Sequence, residues 1–360
     1  MAKKRIGILT SGGDCPGLNA AIRGVAKAAY EKIPDVEIIG IVDGYSGLIH
    51  GESRVMKQSD FSGILTLGGT ILGTSRQPFK TIRVIGEDSL DKVANMKANY
   101  KKMGLDCLLT LGGNGTHKTA NLLSEEGLNV IGLPKTIDND LWGTEVTFGF
   151  HTAVEIATDV IDRIHTTAAS HGRVMVVELM GHKAGWLTLY AGIAGGADII
   201  ILPEIPFDME AVVNAVARRA KNGKLFSIVA VAEGALDTEE AKLKKKQRAA
   251  QRAERGEKTA SERIARAIEA ATGMETRTVI PGHVQRGGSP CAYDRVLSTQ
   301  FGVYAANLIA NDVYGVSVAM ANHEVTHNPL SEIAGKTKFV TPDCQMVRVA
   351  QNMGISFGSK

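Results

Sequence analysis

Nine apolar runs of strand length, at residues 5–10, 36–42, 107–111, 130–133, 173–179, 198–202, 226–232, 276–280 and 316–321, alternate with longer amphipathic segments. Such runs predict strands buried on both faces, and the segments between them predict helical crossovers, the pattern of a parallel sheet. Nine runs predict more than one sheet, and 360 residues can bury the core of two domains or one large one. With 40 Gly, 10 Pro and 5% aromatics, the chain favours helix-on-sheet packing with tight strand-to-helix turns over an all-β sandwich.

Composition also removes function classes. A net charge of +3, spread along the chain, is too small to argue for nucleic acid, and leaves an anionic small substrate open. Cys15, Cys107, Cys291 and Cys344 form no C-x-x-C pair, so neither a zinc cage nor a disulfide framework is expected. The amino terminus turns to Gly and Asp before any apolar run of signal length, and no stretch of 18 apolar residues occurs. A cytoplasmic protein without membrane contact is the expectation. Residues 5–9 and 173–180 each lead into a glycine turn and a helix, a faint repeat that chance resemblance of two strand-helix units also explains. Residues 238–271 break the alternation with a run of Ala, Lys, Arg, Glu and Gln. They read as a solvated helical excursion, then a packed helix with an apolar stripe at Ile264, Ala267, Ile268 and Ala271.

Three glycine-rich stretches suit anion binding. TSGGDCPGLN at 10–19, with Gly12 and Gly13, lies between a strand and a helix predicted over 20–30; alone it is a tight turn or a phosphate cradle. It is neither a P-loop nor G-x-G-x-x-G. LGGNGTHK at 111–118 places Gly112, Gly113 and Gly115 where side chains would obstruct a polyphosphate, with Asn114 in reach of its metal ion or a water. GGTILGTSR at 68–76 ends in Arg76, suited to bidentate phosphate contact. Farther on, Arg173, Arg277, and His283 with Arg286 in PGHVQRGGS supply cations, each of which alone reads first as a surface or salt-bridge residue. Glu233 ends a strand as a helix-dipole partner or an acceptor for a ligand hydroxyl. PKTIDND at 134–140 is an Asx-rich turn or an active-site edge. The set suits phosphoryl transfer: glycine turns for the donor, Mg2+ and Arg for charge, and Asp138, ionised at neutral pH with an ordinary pKa of about 3.9, for the acceptor proton.

TSGGDCPGLNA, GGTILGTSR, GGNGT, PKTIDND, VVELMG, VAEGA, ETR and GHVQRGGSP fall in the order and spacing of the phosphofructokinases, and the chain resembles that family from about residue 5 to 357. PKTIDND, the AGW after MGHK and the ending AGKTKFV…GISFG are similar to its mixed-substrate branch, which uses ATP or pyrophosphate. The resemblance implies two similar Rossmann-like three-layer α/β domains with the active site in the cleft between them. Residues 1–149 with about 283–314 would take the donor; residues 150–282 with about 315–360 would take fructose 6-phosphate, and a charged helical insertion would lie near 238–262.

The resemblance also implies roles. Asp138 would be the base for the 1-hydroxyl of fructose 6-phosphate, Thr136 would stand beside the transferred phosphoryl, and Arg76 would assist. Gly12, Gly13, Tyr45, Arg76, Gly113, Asn114, Gly115, Thr116 and Lys135 would hold the donor, with Asn114 and Asp140 at the Mg2+. Met180, Gly181, His182 and Glu233 would contact the sugar, and His283 and Arg286 its 6-phosphate. Arg173 and Arg277 would reach that phosphate from a neighbouring copy, implying a homo-oligomer, a dimer or tetramer with shared active sites. Within the family Gly at position 115 accompanies ATP and Asp pyrophosphate, whose carboxylate would clash with an α-phosphate; Lys135 is compatible with either donor. The expected activity is ATP-dependent 6-phosphofructokinase in glycolysis, the alternative a pyrophosphate-dependent or dual-donor enzyme. Asn114 replaces the family's usual acidic residue and His182 its usual Arg, which keeps a catalytically idle subunit in view. A dinucleotide oxidoreductase lacks its G-x-G-x-x-G fingerprint here.

Overall fold

Each of the nine apolar runs is a strand in the computed structural model, which describes residues 3–85 and 90–359. In chain order the strands are β1 (Lys4–Thr10), β2 (Val36–Ile41), β3 (Ser53–Met56), β4 (Cys107–Gly112), β5 (Val130–Pro134), β6 (Val174–Leu179), β7 (Ile199–Ile201), β8 (Ser227–Ala232), β9 (Thr276–Val279), β10 (Val316–Ala321) and β11 (Glu324–Pro329). Two of them, β3 and β11, were not expected. Both are antiparallel edge strands, β3 largely exposed and β11 half-buried, so they carry no apolar run.

The chain forms two compact units, Met1–Thr152 with Arg286–Lys338, and Ala153–Gln285 with Phe339–Lys360. Residues 315–338 therefore belong to the first unit, where the sequence reading placed them in the second. The reason is strand pairing: β10 lies parallel to β5, with Val316 opposite Ile131 and Ser317 opposite Gly132.

The first unit holds a seven-stranded sheet in the order β11, β10, β5, β4, β1, β2, β3, parallel except at its edges. Leu9, Ile39, Ile41, Leu108 and Val130 pack in one cluster with Tyr45, Leu48, Met96, Tyr100 and Leu123 of the adjoining helices. Alternate strand residues Ile8, Ile38, Leu109 and Ile131 point the other way and are equally buried, so both sheet faces are covered. From β1 the chain moves to β2 on one side and later to β4 on the other. That reversal makes the carboxyl ends of β1 and β4 the switch point where open α/β sheets bind ligands. The helix Leu18–Lys32 crosses the helix Ala292–Ala310 at backbone contact: a Cβ on Gly302 would stand 2.4 Å from the Ala21 carbonyl oxygen, and one on Gly24 2.9 Å from that of Thr299.

The second unit holds a parallel four-stranded sheet in the order β7, β8, β6, β9. Its core includes Val176, Ile199, Phe207, Val216, Val229, Ile264 and Ile268. The charged excursion forms helices Lys245–Glu254 and Ala260–Thr272. Ile264, Ala265 and Ile268 are buried, whereas Ala271 of the expected stripe is exposed. The excursion is tied down by charge as well: buried Glu240 accepts from Arg252 at 2.6 Å and Arg263 at 2.9 Å, and Arg263 also reaches Asp237 at 2.6 Å. Burial pushes the Glu240 carboxyl up, but the two guanidiniums outweigh it and hold its pKa below the ordinary value. Among the described residues no helix is long and apolar enough to cross a membrane.

Candidate active site

In the first unit, β1, β4 and β5 are adjacent, with Thr10 opposite Leu111 and Gly112 opposite Pro134. At about 4.8 Å per strand spacing, this sets the turns 10–17, 112–116 and 134–140 side by side at one sheet edge. Gly12 needs its positive φ of 86° and donates its N–H to the Ser75 carbonyl at 3.0 Å. Thr74 Oγ1 donates back to the Gly12 carbonyl at 2.8 Å. The 68–76 stretch is thereby a brace for the Gly12 turn. Two of its glycines are needed for packing: a Cβ on Gly68 would overlap the Gly288 carbonyl at 2.2 Å, and one on Gly73 the Asp43 carboxylate at 2.1 Å. Arg76, at the end of that brace, is exposed.

Two cations converge on Gly13. The ammonium of buried Lys135 donates to the Gly13 carbonyl, and Arg286 packs so close that a Cβ on Gly13 would stand 2.2 Å from its Nη1. Burial lowers the Lys135 pKa, and the neighbouring guanidinium adds to the shift. Arg286, expected with His283 at a sugar 6-phosphate, is counted with the first unit and lies against the Gly13 turn, its Nη1 donating to the Asp14 carbonyl at 3.4 Å. His283 belongs to the second unit and is exposed.

The turn after β5 is held from several sides. Thr136 Oγ1 accepts from the Asp138 N–H at 3.0 Å, and Thr147 Oγ1 donates to the Thr136 carbonyl at 2.7 Å. Asn139 adopts φ 49°, a left-handed conformation that Asn tolerates better than most residues, and its Oδ1 accepts from the Thr147 N–H at 3.1 Å. This geometry sets Asp138 and Asp140, both half-buried, on either side of Asn139.

The turn after β4 starts the helix Asn114–Glu125, whose first turn carries no acidic residue and no side-chain cap. Its orphan N–H groups favour an anion. Gly112 is required by the fold, since a Cβ would stand 2.1 Å from Thr116 Oγ1, whereas Gly115 is exposed and a Cβ there would meet nothing within 4 Å. Buried Thr116 donates to the Ser11 carbonyl at 3.4 Å, and Gly113 caps the helix.

Two donor-site expectations change here. Tyr45 is 1% exposed and donates its hydroxyl to the Thr116 carbonyl at 3.0 Å, so it supports the donor turn from beneath. Asn114 directs its carboxamide at residues 335–337: Oδ1 accepts from the Gly335 N–H at 3.0 Å, and Nδ2 donates to the Lys336 carbonyl at 3.1 Å and Thr337 Oγ1 at 3.2 Å. A side chain so engaged is not placed to coordinate Mg2+. Sequence reasoning also passed over buried His117, whose Nδ1 lies 3.0 Å from the Gly113 carbonyl and Nε2 2.8 Å from Ser317 Oγ. A carbonyl only accepts, so Nδ1 carries the proton and Nε2 accepts from the Ser317 hydroxyl.

In the second unit the carboxyl ends of neighbouring β6 and β8 bring together Met180, Gly181, His182 and Glu233. The Glu233 N–H donates to the Leu179 carbonyl at 2.9 Å, and its Oε1 accepts from the His182 N–H at 2.7 Å. Gly181 has φ 142° and a Cβ there would stand 2.6 Å from the Ala184 carbonyl oxygen, so glycine is required. Buried Gln285, unanticipated, accepts from the Met180 N–H at 3.3 Å. Arg173 and Arg277 are elsewhere. Arg173 precedes β6, seven residues before Met180, or roughly 23 Å along a strand, and both arginines pair with Glu275. One chain does not gather these two cations with Met180, Gly181 and Glu233.

The phosphofructokinase family pattern matches residues 5–309 of this sequence. The chain belongs to the phosphofructokinase family. It is therefore a phosphotransferase. It is 56% identical over 360 residues to the ATP-dependent 6-phosphofructokinase of Spirochaeta thermophila, covering 99% of this chain and 98% of that one. It is 49% identical to ATP-dependent 6-phosphofructokinase 3 of Bacteroides thetaiotaomicron, over 98% of this chain and 100% of that one. Among solved structures, Pichia pastoris phosphofructokinase in the T-state superposes with a TM-score of 0.80 at 31% identity, covering 98% of this chain but only 36% of that longer one. The pyrophosphate-dependent phosphofructokinase of Marinobacter aquaeolei, at 20% identity and a TM-score of 0.80 over 98% of this chain and 92% of its own, shares the fold. The two-sheet α/β architecture is thus that of phosphofructokinases.

Proposed function

We propose that this phosphofructokinase moves the γ-phosphoryl of ATP to the 1-hydroxyl of fructose 6-phosphate, giving fructose 1,6-bisphosphate and ADP. The observation that carries the donor is Gly115. Its neighbours do not require a glycine, so the open space at the head of the helix Asn114–Glu125 serves a ligand, and an α-phosphate with its nucleoside fits that role. Lys135, whose ammonium is bonded to the Gly13 carbonyl, suits either donor. Relatives of 44–56% identity named ATP-dependent support the same reading.

In this scheme the bare helix start, Gly12, Gly13, Gly113 and Thr116 seat the donor phosphates, and Lys135, Arg286 and exposed Arg76 meet the charge of the phosphoryl in flight. Asp138 takes the proton of the 1-hydroxyl as its oxygen bonds to phosphorus and ADP leaves. Mg2+ takes one or two carboxylates together with substrate phosphates. Asp140 on the base turn fits that need and Asn114 does not. The ion would neutralise donor charge. Met180, Gly181, His182 and Glu233 receive the sugar, and His283 its 6-phosphate, with Arg173 and Arg277 contributed by a second copy. Asp138→Asn should cut kcat on the order of 10²–10⁴-fold with unchanged thermal midpoint; near-normal turnover removes Asp138 as the base.

A further inference from the structure

Residues 335–338, the last of the first unit, touch two functional turns at once. At one end the Asn114 carboxamide makes its three hydrogen bonds to residues 335–337. At the other the Lys338 N–H donates to the Asp140 carbonyl at 2.8 Å. Thr337 bridges Leu141 in antiparallel fashion. The Lys338 ammonium donates to Asn139 Oδ1 at 3.1 Å and to the Thr144 and Glu145 carbonyls at 2.9 and 2.8 Å. These bonds hold Asn139 in its left-handed conformation, on which the directions of Asp138 and Asp140 depend. Gly335 is fitted to the same path by its φ of 89°, a left-handed conformation that favours glycine.

A surface segment with only a packing role would leave a lysine in water. This one is drawn in by carbonyl acceptors, and the segment is too short to be slack: four extended residues span at most about 14 Å. We propose that residues 335–338 are a positioning strap, through which Asn114 and Lys338 hold the donor turn and the Asp138 turn at a fixed separation for phosphoryl transfer. This rests on Asp138 being the base. Asn114 is then the strap's anchor on the donor turn, and Lys338 its anchor on the base turn. Transfer between the turns is sensitive to displacements near 1 Å, which cost about 100-fold in rate.

The test is kinetics of the full-length protein as Asn114→Ala, Lys338→Met, the double variant and Lys338→Arg, with thermal midpoints alongside. Lys338→Met is expected to lose about tenfold or more in kcat with KM for fructose 6-phosphate within about twofold, and Lys338→Arg, which keeps charge and donors, to recover most of it. The double variant is expected to be little slower than the worse single one, because releasing either end frees the strap. Folded variants whose midpoints fall while kcat stays within about twofold of wild type would overturn the strap, as would losses that multiply. If Lys338→Met does not fold, Asn114→Ala decides alone: reduced kcat with raised KM for ATP supports the strap, and unchanged constants overturn it. A wild-type protein silent with ATP and with pyrophosphate overturns the kinase reading and the strap together, whereas an active wild type with indifferent variants overturns the strap only.

Discussion

Gly115 and His117 lie two residues apart on the donor turn and face opposite constraints. Gly115 is open to its surroundings, so Gly115→Asp should leave the folding midpoint in place and lower kcat/KM for ATP by on the order of 100-fold through clash and repulsion at the α-phosphate. Steady-state kinetics with ATP checks this, and unchanged ATP use would remove the steric argument. His117 is enclosed, and burial lowers its pKa from 6.5 to about 4. The unfolded imidazole takes up a proton near pH 6.5 and the folded one only near 4. Its depressed pKa therefore costs stability as pH falls through that window, at up to about 1.4 kcal/mol per pH unit. Between pH 7 and 5, wild type should lose roughly 2 kcal/mol more than His117→Gln in urea melts; equal losses would contradict a neutral buried imidazole. At this scale the sequence announces residue types that touch ligands, such as Asp138 in PKTIDND, because the string itself places two carboxylates in one turn. It did not announce that Tyr45 and Asn114 face inward to carbonyls and strap, since spacing says nothing of the partner a polar side chain finds.

The helix Leu18–Lys32 follows the Gly12 turn, and its close crossing with the helix Ala292–Ala310 depends on Gly24 and Gly302. Gly302→Ala inserts a Cβ against backbone, which side-chain motion does not relieve, and should destabilise by about 1–3 kcal/mol. An unchanged urea midpoint would show that the helices part freely. The Glu240 cluster holds the charged excursion in the same way. Arg263→Met strands part of a carboxylate that is 1% exposed and should cost about 3–5 kcal/mol. Cooperative denaturation checks it, and a loss below about 1 kcal/mol would mean the cluster is solvated. Most of the nine expected strands were legible because burial on both faces writes an uninterrupted apolar run; β9, an edge strand with Arg277 and Thr278 exposed, is the exception. β3 and β11, which satisfy backbone bonds at sheet edges, leave no such run, and an internally paired arginine such as Arg263 reads in sequence like a solvated one.

Across the whole molecule, each unit presents its ligand-type residues at the carboxyl ends of parallel strands: Gly13, Gly113 and Lys135 after β1, β4 and β5, and Met180 and Glu233 after β6 and β8. The crossover points of the chain were harder to read than the strands, because β10 joins its sheet by pairing with β5, a partner far away in sequence. Arg173 and Arg277 stand apart from Met180 and Glu233 within one chain, which is why a second copy enters the proposed site. The most direct measurement is product formation from fructose 6-phosphate by the purified protein with Mg2+, supplied with ATP and, separately, with pyrophosphate. The account predicts fructose 1,6-bisphosphate and ADP with ATP, and at least about tenfold lower kcat/KM with pyrophosphate. Turnover with pyrophosphate alone, or with neither donor, would contradict it.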